Sequence, residues 1–345
     1  MPLLAIDVGA GTQDILLYRE DISLEGSTKM VLPSQTVIVA GRIDDARRRG
    51  KDIFLQGPTM GGGASVSAVK HHLAAGLKVY ATPPAAATIN DNLERVEKLG
   101  IIIQDEAPAS AEEIKTGDID IPALCNAFCL FNIHLPVEIA VAVQDHGYSP
   151  NRSNRLVRFE HMANAIASGG TIEAFAYRLP PENMTRMGAV RAYLEKNGFE
   201  AILMDTGPAA IFGASKDPRC IEPAIIINFG NGHTVVAMLD GGRITSLFEH
   251  HTTQLSPEKL KSYLNKFCSG DLKNSDVFDD GGHGAYIGEI PERIESTMVT
   301  GPRRDSFLSS SVLSDAVAAA PGGDMMITGC IGLLEAWEMK DKLWR

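Results

Sequence analysis

Two segments of the chain, residues 3–18 and 224–239, share one pattern of hydrophobic and polar positions. Each is an apolar run, a Gly-x-Gly turn and a second apolar run, which predicts a β-hairpin. An alternating segment follows each hairpin, at residues 29–32 and 243–249. The pattern therefore predicts two three-stranded meanders, and the repeat of one hairpin suggests two related domains that face one another.

The rest of the chain carries strand and helix patterns. Residues 137–145 and 201–205 are apolar runs typical of buried strands. Residues 185–197 have helical spacing, and Gly198 follows at a C-cap position. The other expected elements are a small helix over residues 209–214, a helix over 306–320, a strand over 325–328 and a closing helix over 332–340. This order of strands and helices predicts an α/β fold.

Residues 41–135 fit neither meander and are predicted to form an inserted subdomain. They contain a strand, a glycine loop and a helix within residues 53–75, and a helix over residues 90–99. The glycine loop lacks the lysine of a P-loop, so we expect a loop on the substrate side of the molecule. The 345 residues leave room for two domains. We expect the first at residues 1–215, with the insert, and the second at 216–345.

The two Gly-x-Gly turns carry the first chemical signal. A glycine has no Cβ and accepts a positive φ at little cost, so such a turn lets backbone N–H groups approach an anion closely. Gly9 and Gly11 lie in the first turn, and Gly230 and Gly232 lie in the second. Two such turns across a cleft could grip a polyphosphate. Plain hairpin turns are the alternative interpretation of the same glycines.

Four motifs in chain order resemble those of the superfamily of sugar kinases, actin and the seventy-kilodalton heat-shock chaperones. They are a first phosphate motif at residues 7–14, a connecting helix at 208–213, a second phosphate motif at 228–234 and an adenosine motif at 325–332. The resemblance implies an actin-like ATPase fold, in which two ribonuclease-H-like domains hold ATP and Mg²⁺ in a cleft. The whole chain also resembles a domain-of-unknown-function family of anaerobes and archaea, often labelled pyruvate-formate-lyase-activating-enzyme-like.

The resemblance also implies roles for individual residues. The expected nucleotide contacts are Gly9, Gly11, Thr12, Asp14, Gly230, Asn231, Gly232 and Gly329. Asp7 is expected to orient Mg²⁺ through water, and its alternative is a turn cap. Asp205 resembles the base of hexokinase-like members, although it is equally suited to cap a helix. Asp145 is the second candidate for the base.

Two residues depart from the superfamily pattern. Asn228 stands where the second phosphate motif usually has aspartate, so a metal would depend on Asp7. Cys330 stands where the adenosine motif usually has a second glycine. Together they keep open a third possibility, a fold that has lost its nucleotide. Cys125 and Cys129 have no third cysteine nearby, so we do not expect a radical iron–sulfur activating enzyme.

Composition and sequence pattern argue against several other classes of protein. The net charge of −11 argues against a nucleic-acid partner. The first four residues do not resemble a secretory signal, and polar residues interrupt the apolar stretch at 121–143, which is better interpreted as a core strand than as a membrane span. Five scattered cysteines favour a reducing compartment, so we expect a cytoplasmic protein. A homo-oligomeric state is a further expectation.

Two clusters of histidines and acidic residues, at 249–251 and 279–283, have ligand types suited to a transition metal. Adjacent histidines on a strand point to opposite sides, so we expect solvated loops instead. The leading prediction is an ATP-binding phosphotransferase or ATPase that acts on the γ-phosphoryl group with Mg²⁺ and an unknown small-molecule acceptor. The alternative is a nucleotide-gated activator or assembly factor for a partner protein.

Overall fold

The structure is a computed structural model that describes residues 2–343. Met1, Trp344 and Arg345, the outer ends of the two predicted domains, lie outside the described residues. The strands are β1 (Leu3–Val8), β2 (Thr12–Tyr18), β3 (Thr28–Pro33), β4 (Ile53–Gln56), β5 (Val79–Ala81), β6 (Ile101–Ile103), β7 (Glu112–Lys115), β8 (Glu138–Val143), β9 (Ala176–Tyr177), β10 (Glu200–Met204), β11 (Ala224–Phe229), β12 (His233–Asp240), β13 (Arg243–His251), β14 (Gly284–Tyr286), β15 (Ser296–Thr300) and β16 (Val317–Ala318).

Helices connect these strands. The α-helices are α1 (Gln35–Arg48), α2 (Gly63–Ala74), α3 (Pro83–Ala87), α4 (Leu93–Lys98), α5 (Ile121–Cys129), α6 (Asn154–Ala167), α7 (Thr185–Lys196), α8 (Thr206–Ala214), α9 (Pro257–Ser269), α10 (Asn274–Phe278), α11 (Asp305–Leu308), α12 (Thr328–Glu338) and α13 (Lys340–Leu343). Short 3₁₀ turns lie at Ile172–Ala174, Thr252–Gln254, Ser311–Leu313, Pro321–Gly323 and Met325–Ile327. None of the helices within residues 2–343 has the length and apolar character needed to cross a bilayer.

Two six-stranded sheets repeat one plan. Their strand orders are β3-β2-β1-β8-β10-β9 and β14-β13-β12-β11-β15-β16. In each, the first strand of a meander pairs antiparallel with the second strand and parallel with a later strand. Both predicted meanders are confirmed. Alternation of apolar side chains sets the register, because a slip of one residue would turn each strand's buried face outward.

A third, smaller sheet is all parallel and has the order β6-β5-β4-β7. It lies within the predicted insert, with α1 and α2 packed on it through residues such as Val39, Ile43 and Val69. Helix α1 begins at Gln35, before the expected start of the insert. Helix α5 contributes Leu124 and Phe128 to the core of the first large sheet instead. The stretch at residues 121–143, which was expected to be a core strand, therefore begins with this helix. The limits of the two domains stay a prediction.

Helices α8 and α12 pack on each other within a core cluster that is shared by both large sheets. Their backbones approach closely: a Cβ at Gly213 would lie 1.8 Å from the Thr328 carbonyl oxygen, and one at Gly332 would lie 2.0 Å from the Ala209 carbonyl oxygen. No side chain fits at either position. These glycines therefore set the distance between the helices that separate the sheets.

Two local predictions near the C-terminus are wrong. Residues 306–320 do not form one helix; they form α11, a 3₁₀ turn and β16. The hydroxyl of Ser310 donates to the Phe307 carbonyl, a local bond that competes with helix propagation. Residues 325–328 are not a strand. The Asp324 carboxylate accepts the Met326 N–H at 2.9 Å and caps a helical turn that leads into α12 at Thr328.

Candidate functional site

The two glycine turns lie side by side at one cavity. A Cβ at Gly11 would lie 3.0 Å from the Asn231 Nδ2, so the turns adjoin. The cavity between the two large sheets has a volume of about 470 Å³, within the range of small-molecule sites. Of the site residues predicted from the sequence, nine line the cavity: Asp7, Gly9, Thr12, Asp14, Asp145, Gly230, Asn231, Gly232 and Gly329. Gly11 and Asp205 are not among the lining residues; Gly11 adjoins Asn231 at the tip of the first turn, and Asp205 is buried.

The turns use two of the predicted amide donors themselves. The Gly9 N–H donates to the Thr12 carbonyl at 2.8 Å, and the Gly230 N–H donates to the His233 carbonyl at 3.0 Å. None of the four turn glycines has a φ in the left-handed region, so the expected use of positive φ is not realised. Residues 10–11 and 231–232, at the two tips, are left to offer N–H groups to an anion.

Two carboxylates face each other at the floor of the cavity. Asp7 on β1 is the cross-strand partner of Asp14 on β2, and Oδ1 of each is buried without a hydrogen-bond partner among the described residues. Loss of solvation raises the pKa of Asp7 well above its usual range, and the charge of Asp14 adds to this effect. Burial also raises the pKa of Asp14 to about 7. A pair of carboxylates with unsatisfied oxygens has the character of a cation site.

Gly329, at the start of α12, makes this arrangement possible. A Cβ there would lie 2.0 Å from the Asp7 Oδ2. The predicted adenosine-motif glycine therefore lets the helix approach the carboxylate at the cavity floor. Cys330 follows it and is fully buried, with Sγ 3.1 Å from the Asp14 carbonyl oxygen. This thiol is part of the packing beneath the site and does not face the cavity.

A buried arginine that the sequence interpretation missed forms ion pairs with two buried carboxylates. Arg158 on α6 is 1% exposed. Its Nη1 and Nη2 donate to the two oxygens of Asp205 at 2.5 and 2.9 Å, and its Nε donates to those of Glu249 at 3.1 and 2.9 Å. The Asp205 Oδ1 also accepts the Gly207 N–H at 3.0 Å and caps α8. The predicted base therefore has both oxygens occupied.

Asp145 is similarly engaged. Its Oδ1 accepts the Gly147 N–H at 2.8 Å and its Oδ2 accepts the Met187 N–H at 2.9 Å. Burial raises the pKa of this carboxyl. Arg186 lines the cavity nearby and is paired with Asp118 at 2.7 Å. Asp145 thus fixes the loop after β8 and the first turn of α7.

Four histidines gather beside the second turn: His146, His233, His251 and His283. The expectation of solvated loops at 249–251 and 279–283 is wrong for residues 249–251, which end strand β13, and for His283: Glu249 and His283 are each 1% exposed, and His250 is fully buried. The ring centroids of His233 and His283 are 4.7 Å apart, and those of His146 and His283 are 5.7 Å apart. Burial lowers the pKa of His146 to about 3, that of His233 to about 4 and that of His283 to about 2. Neutral imidazoles of this kind can act as metal ligands.

Comparison with known families identifies the family to which the chain belongs. The family model described as "Putative pyruvate format-lyase activating enzyme (DUF1786)" matches residues 60–306. The chain belongs to this family. No curated protein sequence matches the DUF1786 chain.

Solved structures with some likeness to the DUF1786 protein share little sequence with it. The ethanolamine utilization protein EutJ from Carboxydothermus hydrogenoformans is 11% identical, with a TM-score of 0.34, over 96% of this chain and 89% of that chain. A Bacteroides thetaiotaomicron protein with an actin-like ATPase fold and unknown function is 7% identical, with a TM-score of 0.37, over 96% and 95%. The activator of 2-hydroxyisocaproyl-CoA dehydratase from Clostridium difficile, with bound ADPNP, is 10% identical, with a TM-score of 0.31, over 99% and 98%.

The cysteines of this DUF1786 protein do not form a cluster site. Cys125 and Cys129 lie on α5, where Cys129 is exposed, and Cys330 is buried under the cavity floor. Within residues 2–343, the group of potential ligands close enough to share an ion consists of histidines. Thiolate ligation of an iron–sulfur cluster needs several cysteines close together.

Proposed function

We propose that the protein binds ATP with Mg²⁺ in the cavity between its two large sheets and acts on the γ-phosphoryl group. One observation carries the proposal: two Gly-x-Gly turns adjoin directly above the Asp7 and Asp14 pair. The amides at the tips would bind phosphate oxygens, and the Thr12 hydroxyl would bond a terminal one. The repeated strand order of the sheets supports two ribonuclease-H-like domains in an actin-like arrangement.

The neighbouring carboxylates of Asp7 and Asp14 repel each other, and a bound magnesium ion would relieve that repulsion. Each has a buried oxygen without a hydrogen-bond partner, and neither has a basic partner in the ion pairs of the described residues. Asp7 would hold the ion, directly or through water, and Asp14 would support it. Bound there, Mg²⁺ would neutralise charge on the phosphates. Asn228, at the matching end of β11, faces Val235 across the hairpin, so the second sheet offers no such carboxylate pair.

The test is a calorimetric titration of the full chain with an ATP analogue and Mg²⁺. We expect one equivalent to bind, and Asp7→Asn to weaken binding at least about tenfold, which corresponds to about 1.4 kcal/mol. Asp21→Asn is the matched control, because Asp21 is 64% exposed and pairs with Arg19. Equal binding by the wild type and Asp7→Asn would contradict the proposal.

A second candidate function is a nucleotide-gated switch that acts on a partner protein. The contact between Arg158 and Asp205 favours it, because a carboxylate with both oxygens occupied cannot take a proton unless Arg158 releases it. If the protein is a phosphotransferase, the first candidate function, Asp205 would be the base, with Asp145 as the alternative. ADP release stimulated by a small-molecule acceptor would favour phosphotransfer. Stimulation by a protein fraction alone would favour the switch.

The remaining features of the proposal come from composition. The net charge of −11 supports partners other than nucleic acids. A cytoplasmic location and a homo-oligomeric state stay predictions. Size-exclusion chromatography with light scattering would measure the oligomeric state directly.

A further inference from the structure

We propose that His146, His233 and His283 form a binding site for a divalent transition ion of the Zn²⁺ class, separate from the magnesium position at Asp7. One ring nitrogen of each histidine lies within 4.8 Å of those of the other two. The three residues come from separate parts of the chain: His146 follows β8, His233 begins β12 and His283 precedes β14. Their convergence results from the fold and not from a local sequence repeat.

The spacing of the nitrogens suits a small ion. A tetrahedral Zn²⁺ with ligands at about 2.0–2.1 Å holds its nitrogens about 3.4 Å apart. Rotations of the side chains that move the nitrogens by about 1 Å would bring the three rings to that distance. Imidazole is a common ligand for Zn²⁺ and related ions, whereas Mg²⁺ prefers oxygen. The ligand type therefore distinguishes this site from the carboxylate pair at the cavity floor.

Polar groups stand behind two of the rings. The His283 Nδ1 is buried without a hydrogen-bond partner and lies 4.0 Å from the Glu249 Oε1. The side-chain amide of Gln144 lies 2.9 Å from the His233 Nδ1 and 3.2 Å from the Glu249 Oε1. Histidines that bind metals typically engage their other nitrogen with such groups. An unsatisfied ring nitrogen in a nearly inaccessible side chain is otherwise a cost without a purpose.

The site opens toward the nucleotide cavity. His146 and His233 line that cavity, and His233 directly follows the tip of the second turn. With three protein ligands, the ion would keep a free coordination position on the cavity side. His146 lies on the side of the first sheet, and His233 and His283 lie on that of the second. Binding would therefore join the two halves of the molecule and raise its stability.

The experiment titrates the full chain, after dialysis against a chelator, with Co²⁺ and then with competing Zn²⁺, in the absence of nucleotide. We expect one equivalent of Co²⁺ with the absorption of a nitrogen-ligated ion, displaced by Zn²⁺. His233→Ala and His283→Ala should each weaken binding at least about tenfold. Metal-free thermal unfolding of each variant checks that it has folded.

Two control variants separate this site from its surroundings. His251→Ala removes a ring 4.8 Å from that of His233 but outside the proposed set, and it should bind Co²⁺ like the wild type. Asp7→Asn should keep the absorption of the nitrogen-ligated Co²⁺, so a failure of the nucleotide proposal leaves this readout unaffected. Absence of stoichiometric binding, equal binding by His233→Ala and the wild type, or an equal loss in His251→Ala would overturn the inference.

Discussion

The Nε of Arg158 donates to both carboxylate oxygens of Glu249, at 3.1 and 2.9 Å, and so connects α6 with β13. The opposite edge of the same guanidinium holds Asp205, which caps α8. Burial alone would lower the pKa of Arg158, but the two carboxylates outweigh that effect and keep it charged. One cation thus joins elements of both large sheets.

We predict that Arg158→Met destabilises the protein by about 3–5 kcal/mol, because it leaves two buried carboxylates without their cation. Urea unfolding measures the difference. Arg152→Met serves as the control: Arg152 is 57% exposed and pairs with Glu160, so we expect a loss of at most about 1 kcal/mol.

Neutralising the two acids should reverse most of this loss. In the Arg158→Met background, Asp205→Asn and Glu249→Gln together remove the uncompensated charges while keeping similar volumes. We expect the triple variant to be more stable than Arg158→Met alone. A triple variant that is no more stable would mean that lost packing, and not buried charge, explains the effect.

The close contact between helices α8 and α12 gives another prediction. Gly213→Ala should destabilise the protein by about 1–3 kcal/mol or more, because the new Cβ would overlap the Thr328 carbonyl. Gly188→Ala is the matched control within helix α7, where a Cβ meets nothing within 4 Å. That change should stabilise by about 0.5–1 kcal/mol. Thermal unfolding of the two variants would give shifts of opposite sign.

The meanders could be predicted because strand alternation and glycine turns are local signals. The failure at residues 325–328 shows the limit of such signals. A short apolar run fits a strand and a buried helix equally well, and the deciding feature was the cap at Asp324. Adjacent histidines were predicted to face opposite sides, and they do: His250 contacts Asp280 at 3.1 Å, whereas the His251 ring lies beside His233.

The site was only partly accessible from sequence. The glycine turns and Asp7 are recognisable because their chemistry lies within a few residues. Arg158 is 47 residues from Asp205 and 91 from Glu249, so nothing local marked it as their partner. The three histidines of the proposed metal site likewise come from three segments. Long-range contacts of this kind are set by the packing of the two sheets.

Buried His72 gives a prediction for pH. Its ring is inaccessible in the packing of α2, and burial lowers its pKa below the ordinary value. The unfolded chain then binds more protons than the native state as the pH falls, so the His72 contribution is lost below about pH 6.5. The difference in unfolding free energy between wild type and His72→Gln should shift against the wild type from pH 7.5 to 5. His134→Gln is the control for a histidine substitution at an exposed position.

Asp7 offers a test in which stability and binding change in opposite directions. Its carboxylate has a buried oxygen without a hydrogen-bond partner, and Asp14 and Asp205 add negative charge around it. In the metal-free protein at neutral pH, the buried Asp7 carboxyl must either carry an unfavourable charge or take up a proton; Asp7→Asn removes that cost and should raise stability by about 1 kcal/mol. Thermal unfolding with a chelator measures this gain, and Asp21→Asn should show none. Added Mg²⁺ with the ATP analogue should then stabilise the wild type more than Asp7→Asn at the same concentrations. A lower metal-free midpoint for Asp7→Asn would mean that the carboxylate stabilises the fold, contrary to a role in holding the ion.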